Sequence, residues 1–326
     1  MTSVADIFTG GTISMETDSA AGGNVPRLDG AAILARTPGL DEIADVVAID
    51  RGLIPASHFT FPQLFDLARA VDEATAAADV AGCVVVQGTD TIEETSFFLD
   101  LVLRTDKPVV VTGAMRAASH PGYDGPANIR DAVRCAASAA LRGEGVVVVL
   151  AGSIDAADDV TKTHTSSYET FRSLNFGPIG RVDSDTVRIK RRRTGRRRVK
   201  ATTAAEHVHL ITAHVAMDGS LVDAALAAGT DGLVIEATGA GNTSALLLDA
   251  CRKAIVGGTP VALTTRCPAG RAATDYAFLG GGATWVHSGA MLTGYLGGPK
   301  ARVALAVGIG AGFDRDGLIG LLADPA

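Results

Sequence analysis

No apolar run in the 326-residue sequence reaches the roughly 18 residues that a membrane-spanning helix needs, so no membrane partner is expected. The N-terminus has no basic segment leading into an apolar one, which argues against a signal peptide and for a cytoplasmic location. The four cysteines, Cys83, Cys135, Cys251 and Cys267, fall in no CxxC or Cys/His metal spacing. They read as small buried hydrophobes in a reducing compartment. The seven histidines form no HxxxH or HExxH pair, so no metal centre is expected. A GxxxxGK[ST] phosphate loop and a GxSxG nucleophile elbow are both missing. Positive charge is also short: the formal net charge of −7 argues against nucleic acid as a partner of the whole chain.

What the sequence does contain is a globular balance of 47% hydrophobic and 20% charged residues, enough to bury a core. Its length allows one large domain or two medium ones, and its 38 glycines call for many tight turns. Short apolar runs read as buried parallel strands at Val46–Ile49, Cys83–Val86, Pro108–Thr112, Val146–Leu150, His207–Thr212, Gly232–Ile235 and Val261–Thr264. Stretches of helical period separate them, at Phe61–Ala78, Ile92–Leu103, Ala127–Leu141, Leu221–Ala228 and Ala245–Val256. This alternation predicts an α/β fold with a mostly parallel sheet, whose chemistry gathers at the carboxyl ends of the strands.

The alternation breaks between Asp183 and Thr203, where nine of the thirteen residues from Arg188 to Lys200 are basic. Such a run can bind nucleic acid, but no aromatic residue interleaves it for base stacking. It reads instead as a solvated edge hairpin turning at Thr194-Gly195 and then a linker. The expected division is an N-terminal catalytic domain over 1–190, a basic linker over 191–206 and a C-terminal α/β domain over 207–326.

Three segments could carry chemistry. In Thr9-Gly10-Gly11-Thr12-Ile13-Ser14 a strand ends and two glycines permit a sharp turn that presents the Thr12 hydroxyl. A Gly-Gly-Thr turn with Thr as a helix cap fits the same residues. In Gln87-Gly88-Thr89-Asp90-Thr91-Ile92-Glu93-Glu94 a second strand ends in hydroxyls, and Thr91 with Glu94 fits a capping box. That leaves Thr89 and Asp90 without a capping role, and an acidic residue there suits a substrate ammonium. In Asp158-Asp159-Val160-Thr161-Lys162-Thr163 a lysine stands among hydroxyls, where it could activate a threonine or simply be solvated. Gly239-Ala240-Gly241-Asn242-Thr243-Ser244 lacks the third glycine of a dinucleotide loop.

Taken in order, these segments resemble the bacterial-type L-asparaginases of the asparaginase/glutaminase family. Val111-Thr112-Gly113-Ala114-Met115-Arg116, Asp124-Gly125-Pro126-Ala127-Asn128, Asn175-Phe176-Gly177-Pro178-Ile179-Gly180 and Lys300-Ala301-Arg302 extend the likeness over nearly the whole chain. The resemblance implies hydrolysis of L-asparagine to L-aspartate and ammonia without a cofactor. It also implies a larger flavodoxin-like N-terminal domain, a smaller C-terminal α/β domain, and a homotetramer built as a dimer of dimers. On the matching positions, Thr12 would be the acylated nucleophile. Thr89 would orient the amide or the attacking water, Gly88 would border the substrate, and Lys162 would tune Thr89. Asp90 would hold the α-ammonium, Ser57 with His58 beside it would take the α-carboxylate, and Asn242 would come from a neighbouring subunit.

One departure stands out. The family pairs its nucleophile with a loop Tyr and a partner-subunit Glu, but Ser14 to Leu40 contains no Tyr, and Ala277 stands where the Glu is expected. Tyr276, donated across the dimer, is the candidate replacement, and Gly22-Gly23 suggests a mobile lid over Thr12. Three other functions share these residues: a glutaminase or other small-amide hydrolase, an ammonia-releasing subunit of a tRNA-charging amidotransferase, and a non-catalytic amino-acid binder. The retained hydroxyls, acid and lysine favour an enzyme over a binder.

Overall fold

The computed structural model describes residues 2–325, which fall into two compact units meeting at Arg196/Arg197. The first unit holds β1 (Ser3–Phe8), β2 (Met15–Asp18), β3 (Gly23–Pro26), α1 (Gly30–Ala35), β4 (Asp45–Asp50), α2 (Phe61–Ala76), β5 (Val80–Val86) and α3 (Ile92–Val102). It continues with β6 (Val109–Thr112), α4 (Gly125–Ala137), β7 (Val146–Leu150), β8 (Ser153–Ala156), β9 (Val160–Lys162), β10 (Phe171–Ser173), β11 (Gly180–Asp183) and β12 (Thr186–Ile189). Eight strands form its main sheet in the order β12-β11-β8-β7-β6-β5-β1-β4. Strands β4, β1, β5, β6 and β7 are parallel, while β8, β11 and β12 continue the sheet antiparallel.

Counted along the chain, the parallel strands stand in the flavodoxin-like order 2-1-3-4-5. Crossover connections leave and return on opposite faces beside β1, so a crevice opens past the carboxyl ends of β1 and β5. The central strands are apolar on both faces because helices cover both; all five residues of β7 and all four of β6 are buried.

Helix α2 starts as a capping box: the Gln63 amide donates to the Thr60 hydroxyl and the Gln63 side chain accepts from the Thr60 amide. It lays Leu64, Leu67 and Val71 inward. The helix expected over Ala127–Leu141 ends at Ala137, and a separate single turn follows over Ala139–Leu141.

The basic run departs from expectation. The edge hairpin is β11–β12, turning at Ser184-Asp185, and residues 190–196 form an irregular segment that turns Arg193 and Arg196 inward. Arg193 grips Asp100 with two hydrogen bonds of 3.1 and 2.8 Å and also reaches Asp158 at 2.8 Å. Arg196 adds a 3.0 Å bond to Asp100, and Arg192 pairs with Glu144 at 2.6 Å. Only 5% of the Arg193 side chain and 2% of Asp100 are exposed. A buried carboxylate needs opposite charge, and the run supplies it from within the same unit. Burial alone would push the Asp100 carboxyl up, but Arg193 and Arg196 outweigh it and hold it below the usual range.

The second unit contains β13 (Val208–Thr212), α5 (Ser220–Ala227), β14 (Gly232–Ala237), α6 (Ala245–Val256), β15 (Val261–Thr265), α7 (Gly282–His287), β16 (Met291–Leu292), α8 (Gly298–Gly310) and α9 (Arg315–Leu322). Its sheet is parallel, in the order β13-β14-β15-β16. Trp285 is fully buried in its core, and its indole N–H donates to Thr243 at 3.0 Å. No described helix is long and apolar enough to cross a membrane.

Candidate active site

Three turns meet at the carboxyl ends of β4, β1 and β5. The turn after β1 opens with Gly10 at φ 101° and Gly11 at φ 95°, values that favour glycine. A Cβ on Gly11 would lie 2.8 Å from the Gln87 carbonyl carbon and closer still to the Gly88 amide nitrogen. The two strand ends therefore touch backbone to backbone. The Thr9 amide donates to the Val86 carbonyl at 3.0 Å, and the Ile54 amide donates to the Thr9 carbonyl at 2.7 Å. Thr12 begins a single 3-10 turn, Thr12–Ser14, and is half-buried while Ile13 and Ser14 are buried. It caps no longer helix; the Ser14 hydroxyl and amide both donate to the Gly11 carbonyl, at 2.7 and 2.9 Å.

The turn after β5 is Thr89–Thr91, with Thr89 buried and Asp90 exposed. The expected capping box at Thr91 does not form. Its hydroxyl donates to the Ala56 carbonyl at 3.0 Å, which ties this turn to the single turn Ala56–His58 after β4. Ser57 and His58 are exposed on that turn. The hydroxyl has a longer-range partner to satisfy, and the tertiary bond wins over the local cap.

Lys162, at the end of β9, donates to Thr89 Oγ1 and to Asp90 Oδ1, each at 3.0 Å. Its side chain is 17% exposed against 69% for Asp90, so the ammonium is sheltered while the carboxylate still faces outward. The strand carrying Lys162 is held by Glu93, a residue sequence reading did not single out. The Glu93 carboxylate accepts from the Thr161 hydroxyl and from the Lys162 amide, the latter at 3.3 Å. Thr12 and Thr89 thus flank the crevice at the switch point, with Lys162 and Asp90 beside Thr89.

Two further residues brace this end: Tyr123, which lies outside the sequence motifs, and Asp124, which opens one of them. The Tyr123 hydroxyl donates to the Ile13 carbonyl at 2.9 Å. Asp124 accepts from the Met115 and Arg116 amides, both at 3.0 Å, and from Asn128 Nδ2 at 3.0 Å. Tyr123 stands directly before the Asp124–Asn128 segment, yet nothing in the sequence signals such a contact. The segment expected to form a lid is the β2–β3 hairpin, tied by Arg27–Asp18 and Arg36–Glu16 ion pairs.

The remaining predicted residues lie in the second unit. Asn242 sits in a tight loop where it exchanges backbone hydrogen bonds of 2.9 Å with Thr238, and its side-chain oxygen has no donor among the described residues. Tyr276 lies in the loop after β15, 47% exposed, its ring 6.0 Å from that of Phe278, and Ala277 beside it is exposed.

Comparison with known proteins covers both units. Residues 3–195 match the family described as Asparaginase, N-terminal, and residues 207–319 match the Glutaminase/Asparaginase C-terminal domain. An L-asparaginase of Bacillus licheniformis is 33% identical over 309 residues, 93% of this chain and 94% of the relative. A probable L-asparaginase of Deinococcus radiodurans is 36% identical over 323 residues, covering 96% and 94%. L-asparaginase 2 of Escherichia coli is 34% identical over 279 residues, covering 82% and 79%.

Proposed function

This chain belongs to the asparaginase/glutaminase family as an L-asparaginase-type amidohydrolase, and from that premise we propose that it cleaves L-asparagine through an acyl-enzyme on Thr12. The observation that carries this reading is the 3.0 Å bond from Lys162 to Thr89, beside the turn that presents Thr12. An amide is a poor acyl donor, so a covalent route divides one high barrier into two lower ones.

In the first step Thr12 Oγ1 bonds to the side-chain amide carbon, the C–N bond breaks, and ammonia leaves with the hydroxyl proton. In the second step water attacks the ester carbon, aspartate departs, and the Thr12 hydroxyl is restored. Thr89 Oγ1 accepts from Lys162, which leaves its own O–H to orient the amide or the water. The Gly88 edge lies along the substrate. Asp90 takes the α-ammonium; Ser57, with His58 beside it, takes the α-carboxylate. Asn242 and Tyr276 complete the site from a neighbouring subunit in a dimer of dimers, with Tyr276 replacing the loop tyrosine. The cysteines at 83, 135, 251 and 267 are all unpaired, which supports a cytoplasmic setting.

The test is coupled ammonia release from asparagine by wild type, Thr12→Ala and Tyr276→Phe. Thr12→Ala loses activity by more than about 1000-fold. Tyr276→Phe lowers kcat sharply and leaves the assembly intact. Appreciable turnover by Thr12→Ala removes the nucleophile assignment; wild-type kcat in Tyr276→Phe removes the second.

A further inference from the structure

The loop between β6 and α4, residues 113–124, touches both hydroxyl-bearing turns. At its start Gly113 packs against Thr89: a Cβ there would lie 3.2 Å from Thr89 Cγ2. Along its length it runs beside the segment that follows Thr12. The Ala118 amide donates to the Met15 carbonyl at 2.8 Å, and the Thr17 amide donates to Ser119 Oγ at 3.0 Å. At its end Tyr123 donates to the Ile13 carbonyl at 2.9 Å, one residue from Thr12.

The loop is itself held at several points. Asp124 closes it by accepting the Met115 and Arg116 amides, and Asn128 Nδ2 bridges Asp124 to the Gly113 carbonyl at 3.0 Å. The Tyr168 hydroxyl donates to the Gly122 carbonyl at 2.7 Å, and Arg116 lies over the Tyr168 ring, 4.4 Å from its centroid.

Resting on the assignment of Thr12 as nucleophile, we propose that Tyr123 is a positioning residue for Thr12. Its hydroxyl fixes the carbonyl that follows Thr12, so the 3-10 turn cannot rotate its threonine away from the crevice. Thr12–Ser14 is a single turn, and two glycines of unusual backbone conformation precede it. Its internal bonds, from the Ser14 hydroxyl and amide to the Gly11 carbonyl, tie the Ile13–Ser14 peptide at its N–H end. Its carbonyl end is tied to the 113–124 loop by Tyr123, which anchors the turn to the rest of the unit. The phenol acts as a neutral donor. Burial, with the Asp124 charge beside it, pushes its ionisation far above the neutral range, so it is no base for Thr12. The tyrosine missing from the stretch between Ser14 and Leu40 is therefore not replaced in its proton-handling role by Tyr123.

The experiment is steady-state kinetics of Tyr123→Phe with asparagine. Loss of one hydrogen bond lowers kcat about three- to tenfold while KM stays within about twofold. The pH profile of kcat keeps its shape between about pH 6 and 9, because no titrating group is removed. A wild-type kcat in folded Tyr123→Phe overturns the proposal. So does a loss carried wholly by KM, or a changed limb of the pH profile. Should Tyr123→Phe not fold, Ser119→Ala cuts the neighbouring tie at the exposed Thr17, and kcat falls in the same direction by about twofold or more. An unchanged kcat there overturns the proposal too. Thr12→Ala is assayed alongside: its retention of activity sinks the nucleophile assignment, whereas the Tyr123 result is judged on its own kcat.

Discussion

Gly11 and Gly88 meet backbone to backbone, with no room for a methyl group between the ends of β1 and β5. Gly11 is doubly constrained, since its φ of 95° is already strained for any residue with a side chain. Gly11→Ala therefore separates the Thr12 turn from the Thr89 turn. The expected loss is more than about 100-fold in kcat together with about 2 kcal/mol or more of stability. Ammonia release and chemical denaturation read the two effects. Near-wild-type activity in Gly11→Ala contradicts the close approach.

Lys162 is the only cation that contacts Thr89 among the hydrogen bonds described here. Lys162→Met keeps the length of the side chain and removes the donor. We expect kcat to fall by about 10²–10⁴, as for loss of a positioned proton-handling group. KM rises less than kcat falls, because Asp90 stays in place without its ion pair. Steady-state kinetics on the purified variant decides it, and a kcat within threefold of wild type (about 0.6 kcal/mol) rules the role out.

Two buried aspartates give the protein opposing pH responses. Asp6, in the middle of β1, is fully buried with neither carboxyl oxygen hydrogen-bonded, and burial pushes it well above the usual carboxylate range. The unfolded chain releases this proton first, so stability falls as pH rises from about 4 toward the folded-state value. Asp100 is held low in the folded state, so its contribution is complete above about pH 4 and is lost as pH falls below that. Asp6→Asn should raise stability at pH 8 by more than about 1 kcal/mol and change little at pH 4. Asp100→Asn takes the buried counter-charge from Arg196 and leaves Arg193 only Asp158, and should cost about 3–5 kcal/mol near neutral pH. Denaturant titrations at the two pH values measure both; a stabilised Asp100→Asn, or an Asp6→Asn that behaves alike at both, contradicts the assignments.

Much of the frame was legible because its central strands are buried on both faces. Val146–Leu150 and Ala245–Val256 fall where apolar runs and helical period place them. Strands β8 and β11 were not legible: they are four residues each, mixed in polarity, and β8 follows a tight turn at Ala151-Gly152. Helix α8 was also missed. It is buried nearly all round and begins with Gly and Pro, so it has no polar face to give it period. At the candidate site, the strand-end motifs hold Thr12, Thr89, Asp90 and Lys162, of which the fold joins the last three by hydrogen bonds. Glu93 and Tyr123 were silent because their partners lie 68 and 110 residues away. The inward turn of the basic run is silent for the same reason, since no local pattern pairs Arg193 with Asp100.

That last pairing also imposes an order on folding. Asp100 sits on α3 and waits for guanidiniums that follow 93 and 96 residues later in the chain. As the polypeptide emerges from the ribosome, the parallel core can assemble once β7 is out, but it then holds a carboxylate without counter-ions. A carboxylate so placed opposes burial until the strap at 192–196 docks. The first unit is thus completed from its own last residues, and a nascent chain halted before Arg193 should stay open to proteases while one extended past Arg196 closes.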